Sequence, residues 1–182
     1  MIHYLTPYSI ENNIGGAYNK SCQLITDPED WIVIRDGDTM FLTPQWGRVI
    51  AETIGKYGTI YSLFGAKTNR VKEYHHLVEG MFNEKDLDAH YQTAVELEKT
   101  KRTEVIQTIF DVAGFFMAFQ KKTFDKVGGF DENTPIFDRL FTRKVRNNVG
   151  AVGVMQGLYV LHAYRLWSDD AINETDHLQP TS

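Results

Sequence analysis

Trp31-Ile32-Val33-Ile34-Arg35-Asp36-Gly37-Asp38 is the stretch that decides how this chain is read. Four consecutive apolar residues without alternation describe a strand covered on both faces, as in the interior of a layered α/β sheet. The run opens directly into two carboxylates separated by one glycine. Ligands of open α/β sheets bind beyond the carboxyl ends of the strands, so this acidic turn stands where a site belongs. Two carboxylates at that spacing can face one cation, and the glycine leaves room for a ligand to approach. Hard oxygen donors suit Mg²⁺ or Mn²⁺, ions that bridge readily to a diphosphate. Taken alone, Asp-Gly is more often simple turn punctuation, so the turn needs support from elsewhere in the chain. An EF-hand loop is excluded, because counting from Asp36 puts Gly47 where the closing glutamate must stand.

Upstream of this strand, Ile2–Thr6 is short and β-prone and ends at Pro7. From Asn12 to Ile25 the apolar residues Ile14, Ala17, Tyr18, Cys22 and Ile25 recur at helical spacing, with Asp27-Pro28 as the stop. Downstream, Thr43-Pro44 offers an N-cap and a proline at the first helical position. Trp46, Val49, Ile50, Thr53 and Ile54 then mark one helix face, which Gly55 and Gly58 close. A strand is expected at Thr59–Phe64, and a charged surface helix over 86–102, with Leu87, Tyr91, Ala94, Val95 and Leu97 as its apolar members. A second apolar block runs from Val112 to Phe119, and Gly128-Gly129 marks a turn. A basic helix spans Phe137 to Asn148, and Leu158–Tyr164 reads as a further strand. Strands alternating with helices predict an α/β layered domain whose mixed, mostly parallel sheet is flanked by helices. One domain is expected over 1–167, with 86–102 as a helical insertion and 168–182 as a loosely held polar tail.

Composition narrows the function classes. The 182 residues are 42% hydrophobic and 13% aromatic, enough for a core without disulfides or a structural metal. Cys22 is the only cysteine, which excludes an internal disulfide and any CxxC zinc site. Lysines and arginines against acids give 19 − 24 = −5, the wrong sign for a nucleic-acid binder held by bulk charge. No apolar run approaches the roughly 20 residues of a membrane span. The start, Met1-Ile2-His3-Tyr4, lacks the basic and apolar regions of a signal peptide. A cytoplasmic location is the expectation, with peripheral membrane contact left open.

The second half supplies the support that the acidic turn requires. The block Gly114-Phe115-Phe116-Met117-Ala118-Phe119 is followed by Lys121-Lys122-Thr123-Phe124-Asp125-Lys126-Val127-Gly128-Gly129-Phe130-Asp131-Glu132. Asp138 comes next, and His162 stands in a β-like run. Each has an ordinary reading: a glycine turn before an acid-rich helix start, a solvated helix residue, a core histidine. Arg139, Arg143, Lys144 and Arg146 read first as a solvated helix face.

Taken in order, these motifs resemble the family 2 type of glycosyltransferases with the GT-A fold, over most of the chain from about Gly15 to Tyr164. The resemblance implies that Asp36 and Asp38 form the DxD motif, with Asp38 on the metal, Mn²⁺ or Mg²⁺. Asp36 would contact the nucleotide ribose or the water shell of the metal, and His162 would complete the metal site. Asp138 matches the family's general base. Thr6, Pro7 and Tyr8 match the strand end that touches the nucleotide, and Asn19, with Gly15 and Ala17, loosely matches a donor-contacting segment. The chain departs from the family in two places. It passes from Tyr8 to Gly15 without the usual βα unit, so the nucleotide half is trimmed, and the usual Glu-Asp pair is Phe137-Asp138. The implied activity is inverting transfer from a nucleoside-diphosphate sugar, with UDP-sugar as the expected donor, to a hydroxyl acceptor such as a growing glycan. The block from Gly114 to Phe119 would line the acceptor side. A non-catalytic carbohydrate- or nucleotide-binding module of the same fold is the rival. A sugar nucleotidyltransferase ranks lower, since Thr6–Glu11 lacks a glycine-rich, lysine-bearing phosphate loop.

Overall fold

The computed structural model describes residues 1–167; the polar tail read at 168–182 lies outside the described residues. In chain order the elements are β1 (Ile2–Leu5), α1 (Ile14–Gln23), β2 (Trp31–Arg35), β3 (Thr39–Phe41), α2 (Trp46–Tyr57) and β4 (Tyr61–Lys67). A 3₁₀ turn (Tyr74–His76) precedes α3 (Leu87–Lys101), β5 (Val105–Thr108), β6 (Phe116–Gln120), α4 (Lys121–Val127), α5 (Phe137–Asn148) and β7 (Ala151–His162). The strands form one seven-stranded mixed sheet in the order β1-β2-β6-β4-β7-β3, with β5 also paired to β7.

The sheet is α/β and mixed, but it is not mostly parallel. Only β1 with β2 and β4 with β7 run parallel; β6 runs antiparallel to both β2 and β4, and β3 and β5 run antiparallel to β7. Burial on both faces makes a strand read as a continuous apolar run whatever its direction, so Phe116–Phe119 carries no directional signal. This correction matters for the site, because the reversed β6 starts beside the point where β2 ends.

The apolar run of β2 serves two cores by strict alternation. Ile32 and Ile34 face one side with Met117 and Phe119, under Tyr18 and Cys22 of α1 and Phe141 and Val145 of α5. Trp31 and Val33 face the other with Phe116 and Ala118, under Val49, Ile50 and Ile54 of α2. A third cluster joins Ala94 of α3 to Tyr159 and Leu161 in the distal half of β7 and to Leu166.

Several boundaries differ from the sequence reading for identifiable reasons. Helix α2 begins at Trp46 behind Gln45, without a side-chain cap. Thr43 is instead committed to the sheet edge, where its Oγ1 accepts the Tyr159 N–H at 2.8 Å. Helix α3 buries His90, Ala94 and Glu98 rather than Leu87 and Tyr91, which are exposed. His90 is satisfied there at 2.7 Å from the Tyr159 hydroxyl, and Glu98 accepts the Gln45 N–H. Strand β7 starts at Ala151, well before the expected Leu158. Its glycines break the apolar pattern, and at Gly157 a Cβ would stand 2.6 Å from the Arg102 backbone. Among the described residues no helix is long and apolar enough to cross a membrane.

Candidate active site

Two register relations build the site. The antiparallel pairing of Arg35 with Phe116 carries the end of β2 to the start of β6, where the Asp36 N–H donates to the Phe115 carbonyl at 3.2 Å. The pairing of Thr39 with His162 lays the end of β7 against the turn, and the Ala163 N–H donates to the Asp38 carbonyl at 2.9 Å. The turn itself is closed by Thr39, whose Oγ1 donates to the Asp36 carbonyl at 2.7 Å. Asp36 is half-buried and Asp38 exposed, and a Cβ on Gly37 would meet only open space.

One ligand atom each from Asp36, Asp38 and His162 lies within 4.8 Å of the others. His162 Nε2 stands 3.5 Å from Asp38 Oδ1. The ring is fixed from behind, with Nδ1 2.7 Å from the Arg70 carbonyl. A carbonyl can only accept, so Nδ1 carries a proton and the neutral ring presents the Nε2 lone pair forward. Asn69 clamps the same residue through both backbone groups, accepting its N–H at 2.8 Å and donating to its carbonyl at 3.1 Å. Two carboxylates and one such imidazole form a donor set that fits Mn²⁺, and also Mg²⁺ with retained water.

The electrostatics separate the two acids. Burial raises the Asp36 carboxyl above the usual range, against the opposing hydrogen bond from Tyr18. The His162 ring beside it holds Asp38 below that range. Burial alone would lower the His162 pKa, but the Asp38 and Asp36 carboxylates outweigh it and raise it.

These groups open into a cleft of about 1090 Å³ whose walls include Pro7, Tyr8, Asp36, Asp38, Asp138 and His162. Asp138 sits in the first turn of α5, and its Oδ2 accepts the Gly114 N–H at 2.8 Å. Burial pushes its carboxyl up to about 6, opposed by that bond and by the Arg139 N–H. Six of the sequence-predicted site residues are thus gathered into one cavity. Thr6 is exposed outside its wall, and Asn19 does not reach it. Asn19 is consumed by the loop after α4, accepting the Phe130 N–H at 2.8 Å and donating at 3.0 Å to both the Phe130 carbonyl and Glu132.

The apolar block divides between two tasks. Gly114 and Phe115 line the cleft, whereas Phe116–Phe119 are fully buried in the sheet and cannot form an acceptor wall. The basic face of α5 is paired rather than free: Arg139 with Glu73 at 2.9 Å, Arg143 and Arg146 with Asp111, and Lys144 with Asp131. Sequence reasoning missed Tyr18, Asn69 and Arg70. Tyr18 looks like a core residue in the helical pattern, and at 1% exposure it is one; only its hydroxyl reaches the site.

Fold and site together define an α/β protein with a two-carboxylate, one-histidine candidate cation centre in an open cleft. No protein-family model matches the chain, and no curated protein matches it in sequence.

Proposed function

We propose that the chain is a cation-dependent glycosyltransferase of the GT-A type, taking a nucleoside-diphosphate sugar, with UDP-sugar first, to a hydroxyl acceptor. The supporting observation is convergence: the ligand atoms of Asp36, Asp38 and His162 lie within 4.8 Å of one another in a cleft that Asp138 also lines. Arg70, Lys72 and Arg139 also line the cleft and Arg139 pairs with Glu73, but Asp36 and Asp38 would repel a diphosphate brought against them, and a bound cation removes that local conflict. Mn²⁺ or Mg²⁺ held by Asp36, Asp38 and His162 would supply Lewis-acid stabilisation of the departing diphosphate.

The chain's own residues do the rest. Pro7 and Tyr8, just beyond β1, border the nucleotide side of the cleft. Asp138 takes the proton from the acceptor hydroxyl as that oxygen attacks the anomeric carbon. A pKa of about 6 suits this role, since the carboxylate is ionised at neutral pH and still basic enough to hold the proton. A base opposite the leaving group gives inversion. The Gly114 N–H holds Asp138 Oδ2 and the Arg139 N–H holds Oδ1, each at 2.8 Å, so both oxygens are fixed and each keeps a lone pair for the acceptor hydroxyl.

The test is a thermal-shift panel of UDP, GDP and CMP, each with Mn²⁺, Mg²⁺ or chelator. A ligand at 100 times its dissociation constant adds roughly 2.7 kcal/mol to stability. A cation-dependent response to one nucleoside diphosphate is expected, and none to any of them would overturn the reading. The short link from β1 to α1, residues 6–13, favours one rival, a binding module of the same fold. Hydrolysis of the responding sugar nucleotide separates the two, because a binding module turns nothing over.

A further inference from the structure

We propose that Tyr18 is a positioning residue that fixes Asp36 for the cation. The inference rests on the cation-dependent reading of the cleft. The Tyr18 hydroxyl donates to Asp36 Oδ1 at 2.5 Å and lies 3.3 Å from the Gly114 carbonyl. A phenol has one proton, and the short bond to the carboxylate takes it. On its other side the Gly114 peptide donates its N–H to Asp138 Oδ2 at 2.8 Å. The Gly114 peptide thus packs against the Tyr18 hydroxyl on one side and is hydrogen-bonded to the carboxylate of α5 on the other. The approach is close, since a Cβ on Gly114 would stand 3.4 Å from Asp138 Oδ2 and 3.3 Å from the Phe137 ring.

The phenol cannot drift, because its ring is held edge-on by Phe130 at 5.2 Å and by Phe137 at 5.1 Å. Phe137 directly precedes Asp138, so the ring that steadies Tyr18 belongs to the same helical turn as the base. Asp36 Oδ2 accepts no hydrogen bond among the described residues, so Tyr18 satisfies one carboxylate oxygen and leaves the other for the cation. Outer-shell donors of this kind orient a ligand, and their loss costs about 10–100-fold in metal affinity.

Tyr18→Phe keeps the ring and its edge contacts and deletes only the hydroxyl. Mn²⁺ binding is measured from the EPR signal of the free ion, with no nucleotide present, alongside melting in chelator. The dissociation constant should rise roughly tenfold or more, with the chelator Tm within a few degrees of wild type. Wild-type Mn²⁺ affinity in a folded Tyr18→Phe protein overturns the inference alone. Absence of Mn²⁺ and Mg²⁺ binding by the wild-type protein removes both the inference and the reading beneath it. Should Tyr18→Phe fail to fold, wild-type protein carrying ¹³Cζ-tyrosine replaces it. The Tyr18 resonance should then move with Mg²⁺ saturation, and an unmoved resonance at saturation overturns the proposal.

Discussion

His162 Nε2 and Asp38 Oδ1 face each other at 3.5 Å because Thr39 of β3 pairs with His162 at the end of β7. The strand register, not a local motif, makes these two residues neighbours. The candidate cation centre is therefore a product of the sheet, and perturbing it chemically should leave the sheet intact.

Asp38→Ala tests that separation. The Asp38 side chain is 45% exposed in a turn, and no core residue depends on it. The variant should lose the cation-dependent nucleotide response while its Tm in chelator moves by less than about 4 °C. A folded variant that keeps the response would remove Asp38 from the site.

Asp138 ties stability to pH with a definite sign. Its folded pKa, about 6, lies above the ordinary 3.8, so the folded state holds the proton more tightly than the unfolded chain. The contribution is fully present below about 3.8 and is lost as pH rises through about 6. Asp138→Asn should therefore melt at least as hot as wild type at pH 8, with the gap narrowing toward pH 4.5. Turnover should fall about 100-fold or more in this variant. In the wild type it should rise with pH around a midpoint near 6. Melting curves at both pH values and a rate profile check these expectations.

Asn19→Ala separates scaffold from binding. The variant loses three hydrogen bonds that fasten α1 to the loop after α4, a destabilisation of about 1–3 kcal/mol. Mn²⁺ affinity and the nucleotide response should stay at wild-type values. A selective loss of nucleotide binding in a stable variant would instead return Asn19 to the donor site.

Gly157→Ala probes the contact between β7 and the end of α3. The new methyl would stand 2.6–2.7 Å from backbone atoms of Arg102 and Lys101, which cannot swing away as a side chain could. Chemical denaturation should report a loss of roughly 1–3 kcal/mol.

What could be read in advance follows physical lines. The run at 31–34 announced a doubly covered strand, and α5 occupies the expected Phe137–Asn148. The acidic turn was legible as a pair of carboxylates at the end of an apolar run, whereas Asp138 and His162 stood out only through the family resemblance, since each alone reads as an ordinary helix or core residue. Strand direction was not, because double-sided burial erases the alternation that would distinguish β6 from a parallel strand. The buried face of α3 was hidden for the opposite reason: His90 and Glu98 are polar yet internally satisfied, so apolar periodicity pointed to Leu87 and Tyr91. Tyr18 illustrates a further limit, since a residue whose ring belongs to the core can spend its one polar atom on the site.

The position of His162 at the very end of β7 also sets an order of events during synthesis. Asp36 and Asp38 leave the ribosome early, and the imidazole that joins them arrives only after every other described strand has emerged. Throughout that interval a nascent chain carries a bare carboxylate pair with no third ligand to hold an ion firmly. On the proposed reading, tight cation capture would report that the final strand has docked, and a chain stopped before His162 would lack one of the three proposed ligands.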